Sequence, residues 1–306
     1  MSRFALACLA GLAFTMASAQ VITDLGQKNM KIPRKEKDEE PSTTATTDFQ
    51  INVDSTSTYY IMVDSAQACI GRNEWGKAED FIRKALATEP NNASNTLLIS
   101  NLATLQRYQG KQEEALKNYN LALDITPNAV TLLLNRAALL LEMGRTQDAV
   151  EDFEHVRRID ANDVESRYSL GVIAIEQGEY KTAQELFNEV ERINPKSVLL
   201  SEGRGLLAKA QGDYKKAVEH LGDVIRKSPD ARNLANRADC LLMLGKLYDA
   251  SDDIQRALEL KPDDPYLYVL RAKLNKLRYN TDDMTRDINL AVEHGLERGL
   301  VEKLLQ

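Results

Sequence analysis

Three histidines, the acidic doublets Asp252-Asp253 and Asp282-Asp283 and one Gly-Arg-Gly triplet are among the residues of this 306-residue chain whose types could do chemistry. His155, His220 and His294 could each act as a general base or a metal ligand. They stand 65 and 74 residues apart, and no H-E-x-x-H pair places two imidazoles on one helical face. Asp252-Asp253 and Asp282-Asp283 offer adjacent carboxylates, but neighbours along a helix project in different directions and make poor acid–base pairs. Gly203-Arg204-Gly205 lacks the preceding strand of a phosphate-binding loop. No nucleophile–base pair is visible. The chain is therefore not expected to be an enzyme, and no catalytic residue, cofactor or metal is assigned.

The elements that would position such residues are helices. Ala and Leu are abundant, aromatics make up only 6%, and the hydrophobic fraction of 43% supplies a long core. The net charge of −7 leaves no basic stripe for a phosphate backbone, so nucleic acid is not an expected partner. Residues 1–19 combine basic Arg3, an apolar run from Phe4 to Met16 and an Ala17-Ser18-Ala19 cleavage triplet. That is the pattern of a secretory signal peptide cleaved after Ala19, and its loss takes the net charge to −8. The run is too short to span a membrane, and no integral span is expected in the mature chain. Localisation is then periplasmic or extracellular. Residues 20–57 form a polar linker, with a charged stretch from Lys31 to Pro41 followed by a Ser/Thr tract.

From Tyr59 onward the sequence repeats. Ala78, Ala115, Ala149, Ala183, Ala217 and Ala250 are spaced by 37, 34, 34, 34 and 33 residues. A glycine precedes five of them by five residues (Gly110, Gly144, Gly178, Gly212, Gly245). A proline follows five of them by twelve (Pro90, Pro127, Pro195, Pro229, Pro262). With the aligned alanine at position 20 of a 34-residue unit, position 8 is Ala66, Ala103, Ala137, Gly171, Gly205, Ala238 and Ala272. Small residues at 8 and 20 let two helices approach closely, Gly ends the first helix in a left-handed turn, and Pro stops the second. A 34-residue period of this kind marks helix–turn–helix units.

On these residues, residues 59–294 resemble the tetratricopeptide repeat (TPR) family. The resemblance implies an all-α fold: a right-handed superhelical α-solenoid of helix–turn–helix repeats with a C-terminal capping helix. Seven repeats are expected within 58–294, at 59–95, 96–129, 130–163, 164–197, 198–230, 231–264 and 265–294, with the cap at 295–306. Three departures stand out: Asn73 and Tyr279 occupy the turn-glycine position of units 1 and 7, and three extra residues fall near Ala93 to Asn95. Stacked repeats would keep Cys69 and Cys240 far beyond disulfide reach, as two buried thiols.

Position 7 is Arg in four units (Arg136, Arg204, Arg237, Arg271), and position 23 is Asp in three of the same units (Asp152, Asp253, Asp287). Where position 7 is Leu170, position 23 is Leu186. The pattern fits either a cationic ladder for an acidic ligand or ion pairs across the two helices of one unit. Unit 5 has His220 at position 23, which leaves Arg204 without that partner.

The resemblance also implies a concave face lined by the first helices, chiefly at positions 2, 5, 9, 12 and 13. Carried over, these give Arg107 and Tyr108, then Leu134 and Glu142, then Glu165, Tyr168 and Glu176. Glu202, Leu206 and Lys209 follow, then Arg232 and Asp239, and finally Tyr266, Lys273 and Lys276. These residues are the candidate peptide-binding groove. The expected function is a non-enzymatic protein–protein interaction scaffold of the bacterial envelope that binds a partner peptide or helix, as a monomer. One alternative is a structural subunit of an outer-membrane or secretion assembly. Another is a cell-wall or glycan accessory factor. The subclass that grips chaperone carboxylates does not fit, because Glu165, Glu202, Leu206 and Tyr266 stand where its basic and amide residues belong.

Overall fold

The computed structural model describes residues 57–305, so the expected signal peptide and nearly all of the expected linker lie outside the described residues. The chain divides into two compact units, which within the described residues are 57–159 and 160–305. Among the described residues there are fifteen helices and no strand.

The first unit holds α1 (Thr58–Gly71), α2 (Trp75–Thr88), α3 (Asn95–Tyr108), α4 (Gln112–Ile125), α5 (Val130–Glu142) and α6 (Thr146–Ile159). The second holds α7 (Val164–Glu176), α8 (Tyr180–Ile193), α9 (Val198–Ala210), α10 (Tyr214–Lys227), α11 (Ala231–Met243) and α12 (Leu247–Leu260). It continues with α13 (Pro265–Leu277), α14 (Thr281–Glu293) and the short α15 (Arg298–Leu304). Consecutive helices pair as hairpins, and within each unit a first helix also packs on both helices of the hairpin before it. This is the stacking of an α-solenoid.

Local chemistry sets the helix ends. Asp163, Asp230 and Asp264 accept hydrogen bonds from the backbone N–H of Ser166, Asn233 and Tyr266 and so cap α7, α11 and α13. Between the helices of a hairpin the chain turns through a left-handed residue. Gly110 has φ of 73°, with its N–H on Arg107 and the next N–H, of Lys111, on Gln106. Asn73 and Tyr279 make the same turn, at φ of 58° and 60° and with the same bond pair. The two departures in sequence are thus conformational equivalents of glycine. A bulky side chain is strained there, and Tyr279 is 92% exposed, so little packing offsets the strain. Tyr279→Gly is expected to stabilise the protein by about 1 kcal/mol, raising the Tm by about 2–4 °C in thermal unfolding.

The core follows the small residues. Ala78, Ala115, Ala149, Ala183, Ala217 and Ala250 have no exposed surface, and neither do Ala66, Ala103 and Ala137 within 1%. Phe187 on α8 is fully buried between two glycines. A Cβ at Gly171 would lie 2.5 Å from its ring, and one at Gly203 on α9 only 2.4 Å. The cap α15 buries Val301 against Val269 and Ala291.

Candidate functional site

The Arg–Asp pattern resolves into ion pairs inside hairpins. Arg136 Nε and Nη2 donate to the two Asp152 carboxylate oxygens at 2.8 and 2.6 Å. Arg237 holds Asp253 in the same fork at 2.7 and 2.6 Å. Arg271 donates twice to one oxygen of Asp287, whose other oxygen takes Asn275. All three aspartates are buried and their arginines partly so. The charge of these three arginines is balanced inside their own hairpins, so they do not form an uncompensated cationic ladder. The expectation for Arg204 needs correction. His220 supplies no carboxylate, and Arg204 instead forks onto Glu191 of the preceding hairpin at 2.9 and 2.7 Å.

The other candidate chemistry is dispersed. Asp253 is in its ion pair, whereas Asp252 is exposed. Gly203-Arg204-Gly205 lies within α9, where both glycines are packing residues. His294 stacks on Tyr268 at 5.0 Å, and His155 meets Asn128 at 3.1 Å. Among the described residues no group of His, Cys, Asp or Glu is placed to hold a metal ion. Cys69 and Cys240 are buried free thiols, and burial pushes Cys240 up to about 12, so it stays a protonated, unreactive group.

The expected groove residues divide by depth. In the first unit, Arg107 and Leu134 are buried, while Tyr108 and Glu142 are half-buried. Arg107 spans one hairpin to the next, donating from Nε and Nη2 to both oxygens of Glu142 at 3.0 Å. In the second unit, Tyr168, Glu202 and Leu206 are buried. Glu165, Glu176, Lys209, Arg232, Asp239, Tyr266 and Lys273 are half-buried, and Lys276 is exposed. The correction is that Leu134, Tyr168 and Leu206 are not surface anchors. Positional rules select a helix face, but they do not say how deeply that helix nests between its neighbours.

The charged members of the second-unit strip bind one another from hairpin to hairpin. Arg232 donates to Glu202 at 3.2 Å. Asp239 on α11 sits between Lys209 on α9 (3.0 Å) and Lys273 on α13 (3.3 Å), and Lys209 also donates to Asn236. Burial works to raise the Asp239 carboxyl, but the two lysines outweigh it and hold it down to about 2. Burial raises Glu202, and Arg232 only partly offsets it. Burial also raises the Tyr168 phenol well above its usual value, with Glu202 adding to the effect. Lys276 reaches the Leu305 carbonyl and ties the strip to the cap.

One cluster had no signal in the repeat pattern. Glu79 on α2 accepts from Arg83, Gln106, Gln109 and Lys111. Burial opposes its charge, yet these donors hold it down to about 2. It bolts the first hairpin to the second, a role that depends on partners 27 to 32 residues away.

Among the described residues no helix is long and apolar enough to cross a membrane. A tetratricopeptide repeat profile matches residues 140–209 and 208–274, and a TPR repeat profile matches 105–144. No curated protein sequence matches the chain. Among solved structures, a tetratricopeptide repeat protein from Parabacteroides merdae is 30% identical, covers 81% of this chain and 97% of its own, and superposes with a TM-score of 0.67. PilW, a type IV pilus biogenesis factor, is 15% identical over 70% of this chain and 100% of its own, with a TM-score of 0.57. Pseudomonas aeruginosa pilF is 16% identical over 71% and 97%, with a TM-score of 0.54, and at these identities the last two show the fold alone. With the 34-residue period, the glycine turns and the paired helices, the P. merdae likeness establishes that the chain belongs to the tetratricopeptide repeat family.

Proposed function

We propose that this chain is an exported, non-enzymatic scaffold of the bacterial envelope that holds a partner peptide or helix against its first-helix strip. Tetratricopeptide repeat proteins are generally protein-interaction scaffolds. Export rests on the signal-peptide pattern of residues 1–19. The observation that carries the binding reading is the Lys209–Asp239–Lys273 ladder across α9, α11 and α13, bordered by half-buried Tyr266 and exposed Lys276. Its charges are already fixed by one another, so a partner docking there need not order them anew. Tyrosine beside fixed charge has the composition of an interface anchor.

A second reading, binding through the repeat edge, has its own observation. Met243, Tyr248, Leu277 and Tyr279 are 61%, 85%, 47% and 92% exposed, all at the turns of two adjacent hairpins. Arg278 links those turns through the Leu247 carbonyl. Such a patch suits a structural subunit that assembles edge-on.

Co-purification from the native envelope separates the two. Tyr266→Ala with Lys276→Glu is expected to lower partner recovery at least tenfold, and Met243→Ser with Tyr248→Ala to leave it within twofold. The reverse pattern would transfer the function to the edge.

A further inference from the structure

The first unit contains an open cleft of about 540 Å³ between α2, α3 and α4. Its apolar wall includes Leu86, Ile99, Leu102, Leu121 and Ile125. Leu121 and Ile125 are 48% and 55% exposed. Units 3, 6 and 7 carry an Arg–Asp fork at positions 7 and 23. Unit 2 has Leu102 and Asn118 there, and both line the cleft. The three extra residues between units 1 and 2 fall at the same junction, and Ala93 lines the cleft as well.

The chain enters the described structure beside this cleft. Ser57 Oγ donates to Glu89 at 2.6 Å, and the other Glu89 oxygen takes Asn92, a lining residue. Tyr59 donates to Asn95, which also lines the cleft and binds the Glu89 and Pro90 carbonyls. Immediately upstream, the otherwise polar linker carries Phe49-Gln50-Ile51-Asn52-Val53, in which apolar and polar residues alternate as in a strand with one buried face. Val53 and Phe49 precede Ser57 by four and eight residues. At about 3.3 Å per extended residue they can reach up to roughly 13 and 26 Å from it.

We propose that the chain's own segment 49–53 docks in this cleft, with Phe49, Ile51 and Val53 facing Leu102, Leu121 and Ile125. The cleft thereby fastens the linker to the second hairpin, and it selects an extended segment with three alternate apolar side chains. This assignment is separate from the first-helix strip and stands whether or not that strip binds a partner.

Intramolecular crosslinking tests it in the mature chain from Gln20 onward, which lacks Cys8. Cys69 and Cys240 are buried and stay silent. Ile51→Cys is paired either with Ile125→Cys in the cleft or with exposed Glu113→Cys near the start of the same helix, about 18 Å away. A short bismaleimide is expected to link the Ile125→Cys pair at least tenfold faster, within the monomer. Adding Phe49→Asp and Val53→Asp is expected to abolish that advantage. A smaller rate difference would overturn the proposal, as would an advantage that survives the aspartates. A crosslink that appears only as a concentration-dependent dimer would assign the cleft to a second copy instead.

Discussion

Gly203→Val is expected to destabilise the second unit by about 3 kcal/mol, a loss of roughly 6–12 °C in Tm. The cause is a collision. A Cβ at this position lies 2.4 Å from Phe187 Cε1, and the ring cannot retreat because Gly171 backs it from α7 at similar range. Valine is the better helix former, which offsets only a few tenths of a kcal/mol. Phe187→Ala alone is expected to cost about 3–5 kcal/mol through the cavity it leaves. The double variant tests the mechanism. With the ring gone the valine has space, so the two costs should fall short of additive by at least about 2 kcal/mol in urea denaturation followed by circular dichroism. Additive costs, or a neutral Gly203→Val, would contradict the clamp.

Asp239→Asn is the second large effect, expected to cost about 3 kcal/mol at neutral pH. The neutral amide leaves Lys209 and Lys273 facing each other across α11, with side chains only 17% and 27% exposed. The pH dependence is an independent check. Asp239 is held down to about 2, below the ordinary unfolded value near 3.9. A depressed carboxyl contributes stability that is present above the unfolded pKa and lost as pH falls through the folded one. The difference between wild type and Asp239→Asn should therefore be full at pH 5 and shrink by about 2–3 kcal/mol toward pH 2. A difference constant over that window would show that the carboxylate is not held by the lysines.

Much of the fold was legible because a repeat writes each constraint several times. The aligned alanines, the turn glycines and the position-8 residues report one close helix approach and one left-handed turn in each unit. The Arg–Asp forks were legible for the same reason, since aspartate occurs at position 23 only in units with arginine at position 7. What recurs once could not be read this way. Gly203 falls outside the repeat positions, and its role appears only when Phe187 of the preceding hairpin is beside it. Glu79 draws its donors from the next hairpin. Arg204 finds Glu191 across a hairpin boundary because its own unit offers a histidine. Asn73 and Tyr279 looked like exceptions by residue type yet obey the rule in φ.

The strip was legible as a helix face and not as a surface. Position numbers assigned Tyr168, Leu206 and Leu134 to it correctly as side chains of the first helices, but the nesting of those helices buries all three. Of the strip residues near the cap, Lys276 is exposed, while Lys273 and Tyr266 are half-buried, Lys273 with its ammonium on Asp239.

Site-specific photo-crosslinking in the native host tests the central claim most directly. Crosslinkers replace Tyr266 and Lys276 in the strip, with exposed Lys216 on α10 as the control on a second helix. One protein captured from both strip positions and not from Lys216 is the predicted result, and its identity names the partner. Equal capture at all three positions, or capture at none, would contradict a binding role for the strip.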